Sequence, residues 1–415
     1  MMSFLLCRQF LNKGSNIVFF PIIASIILVG MVMLSPHKLI YDEPLHLEGA
    51  ILLSKGMPIN QLLIEPLPSA PGPLYPILHS ILYPITQFRP LFVRFVDIAL
   101  LLINIISLAF CLKFFQIKNP WFYSTSMLAI PMVWVTSGMA LTEIPALTMA
   151  TLSLAISAYA IKEKNSSRLI CYLTFIISGL FAGAAILGRQ TYLPALSLFL
   201  LLSLCNRYYR WPAFSAFSAA CISIMPVFAI WGGIVPKSQV NVGEGFVFNH
   251  GLLAYAYLTC IIIILAPSFF KPKWQWIVCA FCIAFITNTT IVHLKHEAFK
   301  GLTKYLIWIT EEQYSLIVGS LLFGIAFSFF TALIFNLLKK RTDFIFICSS
   351  GVTCLLVATS FGITHLFSSR YLMTSFPFVI LMLYPFYRPS WFSIFRLCTG
   401  AIIGAVSLGS YFQFW

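Results

Sequence analysis

The feature that most constrains the fold is a succession of apolar runs, each near twenty residues, that recurs from end to end of the chain. A helix of that length crosses a hydrocarbon core of roughly 30 Å. Backbone groups inside lipid must also find hydrogen-bond partners within the protein, which a helix provides. Only 9% of the residues are charged, against about a quarter in soluble domains. We therefore expect an all-α integral membrane protein.

The runs predict a polytopic bundle of about thirteen transmembrane helices in a single domain, residues 1–415. The predicted spans are 17–36, 91–112, 120–136, 139–161, 169–187, 191–205, 212–233, 250–270, 274–293, 312–338, 344–362, 370–387 and 393–413. Segments 44–55 and 74–88 are too short and too rich in proline to cross, so they are expected to lie at the membrane interface. The first run lacks a small-x-small cleavage site and is expected to remain as an anchor.

The net charge of +14 does not indicate nucleic-acid binding. The basic residues occur in twos and threes between apolar runs, as in cytoplasmic membrane loops, and no basic stripe with interleaved aromatic residues is present. The eleven cysteines lie almost all within apolar runs, which argues against a disulfide framework. Cys279 and Cys282 have CxxC spacing without His or acidic companions, and are interpreted as helix-surface residues.

Loop charges predict the orientation, because lysine and arginine concentrate in cytoplasmic loops. With the N-terminus inside, most basic residues fall in inner loops, whereas Glu163 and Asp343 are the only acids expected there. The other carboxylates and every histidine then fall in outer loops or at the outer ends of spans. This asymmetry predicts an extracytoplasmic reactive face. The expected membrane is a plasma (bacterial inner) membrane rather than the endoplasmic reticulum.

The first predicted outer loop, residues 37–90, is the richest in acid–base groups. Its acidic pair, Asp42 and Glu43, follows the first span, and His46 comes three residues later. A carboxylate there is suited to act as general base toward a hydroxyl, with its neighbour orienting substrate or metal. The alternative is a solvated pair that stops the helix from sliding inward.

Other predicted outer segments contribute a second set of polar residues. Arg189 and Arg370 each lie at the mouth of a span, where a guanidinium either binds a lipid phosphate in bidentate fashion or snorkels to headgroups. The remaining candidates for substrate binding are Glu143 in TEIPAL, Gln190 in GRQTY, and Lys237 and His250 in the loop 231–251. Arg94 and Asp97 are three apart, and are expected to form a structural pair.

No metal site is predicted from the histidines. His293 and His296 are three residues apart, but no zinc-like spacing follows them. A divalent cation held jointly by the Asp42–Glu43 pair and a substrate phosphate is left open.

Several short motifs resemble the GT-C superfamily of polytopic membrane glycosyltransferases. They are DE-x2-H-x3-A beginning at Asp42, the following PGPLYP, and later SGMALTEIPAL, LGRQTY, WGGIVPKS and SSRYLMTSFPFVIL. The first group is similar to the protein mannosyltransferase and lipid A aminoarabinose transferase branches. The LGRQT and GGIV segments look like those of the dolichyl-phosphate-glucose-dependent α-1,2-glucosyltransferase.

The resemblance implies a polyprenyl-phosphate-linked sugar donor and an active site outside the cytoplasm. It places the catalytic carboxylate at Asp42, with Glu43 as its neighbour, and the lipid phosphate near Arg189, Lys237 and Arg370. The implied acceptor is a lipid-linked glycan, a lipid or a protein. Such a reaction chiefly needs one base and cations that stabilise the departing phosphate.

Two other function classes stay open from the sequence. A transporter or lipid-sugar flippase is expected to carry charged groups near the bilayer midplane and repeated halves, which the sequence does not display. A polysaccharide polymerase or ligase is expected to rely on large, late outer loops, and the stretch 293–312 keeps that class in view.

Overall fold

A computed structural model describes residues 16–65, 71–163, 167–239, 245–296, 310–365, 367–387 and 390–414, except the side chains of 16–18 and 414. Within these ranges the chain is helical and contains no β-strand. The predicted all-α class is confirmed to that extent, and the apolar composition of the helices marks a membrane protein.

Nine helical segments among the described residues are long and apolar enough to cross a membrane. They are α6 (Pro90–Phe114), α9 (Glu143–Lys162), α10 (Arg168–Gly188), α12 (Arg210–Trp231), α13 (Phe248–Leu265), α14 (Trp274–Thr287, extended by a π turn to Val292), α15 (Glu311–Lys339), α16 (Phe344–Ala358, extended by a 3-10 turn to Gly362) and α18 (Trp391–Phe414).

The remaining helices are not among these nine. They are α1 (Asn16–Met33), α2 (Glu43–Ser54), α3 (Ile59–Ile64), α4 (Leu74–Ile81), α5 (Tyr83–Thr86), α7 (Pro120–Thr125), α8 (Pro131–Gly138), α11 (Ser197–Cys205) and α17 (Phe376–Leu383). Several begin with proline at the first or second helical position, where its missing N–H costs nothing.

Helices α6 and α9 run parallel to each other. At one end the Asp97 carboxylate accepts the Leu141 N–H at 3.0 Å, and at the other the Phe114 ring lies 5.4 Å from the Tyr159 ring. Since the chain leaves α6 at one end and enters α9 at the other, the segment between them returns along the bundle. It does so as α7, a 3-10 turn (Ser126–Ala129) and α8.

The predicted single helix over 120–136 is therefore wrong in form, because Pro131 lacks the N–H that an uninterrupted helix needs. The predicted spans 191–205 and 370–387 are also divided, each into a 3-10 segment and a short α-helix. In the second of them, residues 371–383 are buried among other helices, which is where broken helices are tolerated at membrane depth. The number of crossings, about thirteen, stays a prediction.

The long-range contacts define two ends of the bundle. At one end, called the site end below, α2 and α4 pack beside the starts of α6 and α9. At the opposite end, the Tyr209 hydroxyl donates to the Ile161 carbonyl at 2.8 Å, and the Tyr384 hydroxyl donates to Asp343 at 2.8 Å.

The proline-rich segment before α4 packs directly on the end of α10. A Cβ on Gly72 would collide with the Leu187 carbonyl, and one on Gly188 would collide with Ala146 and Leu74. The Tyr75 hydroxyl of α4 also donates to the Ala140 carbonyl at 2.9 Å. The first predicted outer loop is thus built into the bundle where described. Its short helices α2 and α4 fall within or close to the segments 44–55 and 74–88, whose place at the membrane interface stays a prediction.

Candidate active site

Four charged side chains from four segments of the chain meet at the site end. Asp42 immediately precedes α2, Glu143 begins α9, Arg189 follows α10, and Arg370 lies in the 3-10 segment before α17. We call this set the arginine cluster. Their positions in sequence are far apart, so the meeting is produced by the packing of the helices that carry them.

Glu143 and Asp42 share the two guanidinium groups. One Glu143 oxygen forms an ion pair with Arg189 and lies 3.5 Å from Arg370 Nε, and Asp42 is 2.5 Å from Arg370 Nη2. Glu143 is almost fully enclosed, with 1% of its side chain exposed, whereas 24% of Asp42 is exposed. Asp42 is therefore the carboxylate that an incoming substrate can reach more easily.

Aromatic rings line the same space. The Arg370 guanidinium lies 5.3 Å from the Tyr41 ring and 5.8 Å from the Tyr371 ring, and Arg189 lies 5.9 Å from Tyr371. These are cation–π distances, which favour the charged guanidinium. Tyr41 has a φ of 54°, a conformation uncommon outside glycine. This backbone conformation accompanies the placement of its ring beside the cluster.

The two guanidinium groups affect each other's protonation. Burial, and then the positive charge of Arg370, lower the pKa of Arg189 to about 10. Burial, the largest single influence, would lower the pKa of Arg370 as well, but the Asp42 carboxylate together with Tyr371 and Tyr41 outweighs it, and that pKa is raised. Both groups remain cationic at neutral pH, so the site offers two neighbouring positive charges.

His46 lies beside the cluster as a neutral ring. Burial, and then the charges of Arg189 and Arg370, hold its pKa well below the usual value. It also lines a small cleft together with Trp231, Glu65 and the segment 71–73. The histidine therefore adjoins both this cleft and the arginine cluster.

Glu43 occupies a different environment from its neighbour Asp42. Its side chain is wholly buried, and its oxygens accept hydrogen bonds from Arg94, Ile40 N and Ala140 N. The catalytic part predicted for Glu43 stays a prediction, and this enclosure favours a structural role. The expected Arg94–Asp97 pair is wrong, because Arg94 pairs with Glu43 while Asp97 accepts the Leu141 N–H.

The other predicted binding residues are dispersed. Gln190 directly follows Arg189 and begins a 3-10 segment. His250 Nδ1 lies 2.7 Å from the Ile363 carbonyl, and its ring packs 5.8 Å from Phe367. Lys237 is exposed in a short turn after α12. The structure thus brings Asp42, His46, Glu143, Arg189 and Arg370 together, whereas Lys237 and His250 lie in other surroundings.

Two site residues were not identified from the sequence. Tyr41 and Tyr371 flank the arginines, and the Tyr371 hydroxyl lies 2.5 Å from His365 Nε2. Each tyrosine is adjacent in sequence to a cluster residue, Tyr41 to Asp42 and Tyr371 to Arg370. That adjacency was an available signal, although it does not establish that the rings face the guanidinium groups.

Two adjoining apolar cavities lie along α9 on the side facing α11 and α17. One is lined by Tyr192 and Ala185, close to Arg189, and the other, of about 230 Å³, reaches Tyr209 and Phe344 at the opposite end. Leu154, Phe199 and Phe378 line both. From Ala150 to Ile161 the helix rises about 17 Å, so the two cavities extend over much of the bundle's height.

Among the described residues, no three His, Cys, Asp or Glu side chains are grouped so that they could hold a metal ion. Both carboxylates of the arginine cluster are engaged by guanidinium groups. The divalent cation left open above stays an untested expectation.

Comparisons with known proteins give a single kind of similarity. No family model matches the chain, and no curated protein matches its sequence. Among solved structures, the chain is similar to the crystal structure of ArnT from Cupriavidus metallidurans bound to undecaprenyl phosphate, with a TM-score of 0.44 and 12% identity. The similarity covers 90% of this chain and 78% of that one.

Proposed function

We propose that this chain is a membrane glycosyltransferase that transfers a sugar from a polyprenyl-phosphate-linked donor to an acceptor on the extracytoplasmic face. The observation that carries the proposal is the meeting of two partly buried guanidinium groups with the more exposed Asp42. The motifs beginning at Asp42, Leu187 and Ser368, which resemble those of GT-C glycosyltransferases, contribute these same residues.

The arginines supply the site for the donor phosphate. In the part of the chain that the structure describes, Arg370 Nη1 is buried and makes no hydrogen bond. A phosphate oxygen is well matched to such a donor, because charge-assisted contacts to guanidinium are short and strong. As the bond from the anomeric carbon to the phosphate oxygen breaks, its electrons go to the phosphate, and the two cations stabilise that charge.

Asp42 is proposed as the general base. It would accept the proton of the acceptor hydroxyl while that oxygen forms a bond to the anomeric carbon. Before this, Asp42 must exchange its ion pair with Arg370 for the acceptor proton, and a donor phosphate bound to Arg370 would favour that exchange. His46 is neutral and adjoins the small cleft lined by Trp231 and Glu65, where it is placed to hydrogen-bond the acceptor or the sugar.

The apolar cavities along α9 give the donor's polyprenyl chain a place to lie. The cavity lined by Tyr192 and Ala185 begins next to Arg189. A lipid with its phosphate on the arginines can therefore extend its tail among Leu154, Phe199 and Phe378. Burial of apolar surface favours this arrangement at about 25 cal/mol per Å² where water is displaced.

Binding of undecaprenyl phosphate to the purified protein in nanodiscs tests the phosphate site. Arg189→Gln and Arg370→Gln should each weaken binding about tenfold or more, since a hydrogen bond to a charged group contributes about 1.5–3 kcal/mol. Undecaprenol, which lacks the phosphate, should bind equally to all forms. Arg89→Gln, at an exposed arginine of the same end, is the matched control. Equal affinity in the Arg370 variant would contradict the phosphate site.

Sugar transfer tests the base. Asp42→Asn should reduce the modified glycoconjugates of the cell envelope, measured by mass analysis, by at least about a hundredfold, as expected when a positioned base is lost. Glu48→Gln changes an exposed carboxylate of α2, the helix that follows Asp42, and should leave transfer intact. Transfer retained by Asp42→Asn would remove Asp42 as the base. Lipid movement across proteoliposomes without any transferred sugar would instead indicate a flippase.

A further inference from the structure

The buried ion pair of Arg94 and Glu43 lies outside the arginine cluster but is connected to it on both sides. All five guanidinium N–H groups of Arg94 have acceptors, namely both Glu43 oxygens, Ser35 Oγ and the carbonyls of Pro36 and Lys38, at 2.7–2.9 Å. Both side chains are completely enclosed, with 0% exposed. A fully satisfied buried pair of this kind favours one geometry over alternatives more than it adds stability.

On one side the pair fixes the segment that carries Asp42. Arg94 binds the carbonyls of residues 36 and 38, and Glu43 Oε2 accepts the Ile40 N–H at 2.7 Å. Asp42 is the residue just before Glu43, so the chain is held on both sides of it. The backbone that carries the Asp42 carboxylate is thereby held next to Arg370.

On the other side the pair fixes the segment that carries Glu143. Glu43 Oε1 accepts the Ala140 N–H at 2.9 Å, and Asp97, one turn along α6 from Arg94, accepts the Leu141 N–H at 3.0 Å. Glu143 begins α9 three residues after Ala140. The two carboxylates of the arginine cluster are therefore attached to one buried network.

We infer that Arg94 and Glu43 are positioning residues, which set the distance of Asp42 and Glu143 from the two arginines. The inference rests on the proposed function, because it assigns the network a part in that reaction. Neither side chain touches the space where substrate would bind. A displacement of about 1 Å at a reacting group is enough to reduce the rate about a hundredfold.

Glu43→Gln and Arg94→Lys test this inference. The glutamine amide would direct N–H groups at a site that needs acceptors, and lysine offers three donors in place of five. Each variant should lower kcat by about 10- to 100-fold. The Kd for undecaprenyl phosphate should stay within about threefold, because a threefold change is only about a fifth to two-fifths of the energy of one lost phosphate contact. The kcat assay uses an undecaprenyl-phosphate-linked hexose with cell-envelope extract as acceptor.

The double variant Glu43→Gln/Arg94→Lys shows whether the two residues act as one unit. If they do, the double variant should lose no more kcat than the more damaged single variant. Losses that multiply would overturn the shared role. Asn104→Leu is the matched control, since Asn104 is also buried on α6 and binds α9 through the Leu147 carbonyl and Thr151. It should lower the melting temperature but leave kcat per folded molecule unchanged.

The outcomes separate the two proposals. A wild-type protein that transfers no sugar would refute the proposed function. A wild-type protein that is active, inactivated by Asp42→Asn, and unaffected in kcat by Glu43→Gln and Arg94→Lys would refute the positioning role alone. A fall in kcat that only follows the folded fraction, measured by size-exclusion chromatography and thermal unfolding, would also refute it.

Discussion

His79 is buried in α4 with neither ring nitrogen hydrogen-bonded to the described part of the protein. The ring packs against Tyr75 in a tilted arrangement, with 4.2 Å between the centroids. Burial lowers its pKa to about 4, because a positive charge there would lose its hydration without gaining a partner. The unfolded chain binds a proton near pH 6.5, so between pH 6.5 and 4 the unfolded state holds more protons than the folded one.

The free energy of unfolding should therefore fall as the pH is lowered through this window. From pH 6.5 to 5 the loss from His79 is about 2 kcal/mol. His79→Leu should remove that part of the dependence, so that the melting temperature in detergent changes less between pH 7 and 5. The exposed His37, changed to Gln, is the control and should leave the dependence as it is. An unchanged pH dependence in His79→Leu would show that His79 does not carry it.

Single residues also show what the sequence could predict about the site. The sequence identified the four charged residues of the arginine cluster because each lies at the end of an apolar run. A charged side chain there adds little to the stability of a membrane protein, so its presence indicates another role. Asp42 and Glu43 were not separable, since adjacent side chains on a turn point to different surroundings. The partner of Arg94 was not predictable either, because Glu43 is distant in sequence and only the packing of α2 against α6 reveals it.

At the scale of the helices, apolar runs predicted the long elements well. The bounds of α6, α10, α12 and α18 fall within a few residues of the predicted spans. Hydropathy reports only that a segment is apolar, so it did not show that 120–136 and 370–387 are interrupted. Those breaks follow from proline and from 3-10 geometry next to buried neighbours, and neither changes the average hydropathy.

Helices α10 and α12 approach each other closely through small residues. A Cβ on Gly179 would collide with the Ala216 carbonyl of α12, and one on Gly183 would collide with Ser223. Close helix contact through glycine is common in membranes, where packing replaces the hydrophobic effect. The contact fixes α10, whose end carries Arg189.

Gly179→Ala should therefore separate α10 from α12 and destabilise the protein by about 1–3 kcal/mol, the usual result of overpacking. Gly351→Ala is the matched control, because an added Cβ there meets nothing within 4 Å. It also lies within a helix, where alanine is favoured over glycine. Thermal unfolding in one detergent measures both. A Gly179 variant as stable as the Gly351 variant would contradict the close contact.

For the molecule as a whole, charge divides between the two ends. The described basic residues near the opposite end are Lys113, Lys118, Lys162, Arg168, Arg207, Arg210, Lys271, Lys273, Lys339, Lys340, Arg341 and Arg396, whereas Glu163 and Asp343 are the described acids there. Lysine and arginine concentrate on the cytoplasmic side of membrane proteins. The opposite end is therefore predicted to be cytoplasmic, which places the arginine cluster outside.

Cysteine labelling in intact cells tests this orientation. Cys205 is exposed at the end of α11, at the opposite end of the bundle, and Lys55 is exposed just after α2 at the site end. In a background with no other cysteine, Lys55→Cys should react with a membrane-impermeant maleimide in intact cells. Cys205 alone should react only after the membrane is permeabilised, and both should react in detergent. The reverse pattern would place Asp42 in the cytoplasm, where a sugar donor already moved across the membrane would not reach it.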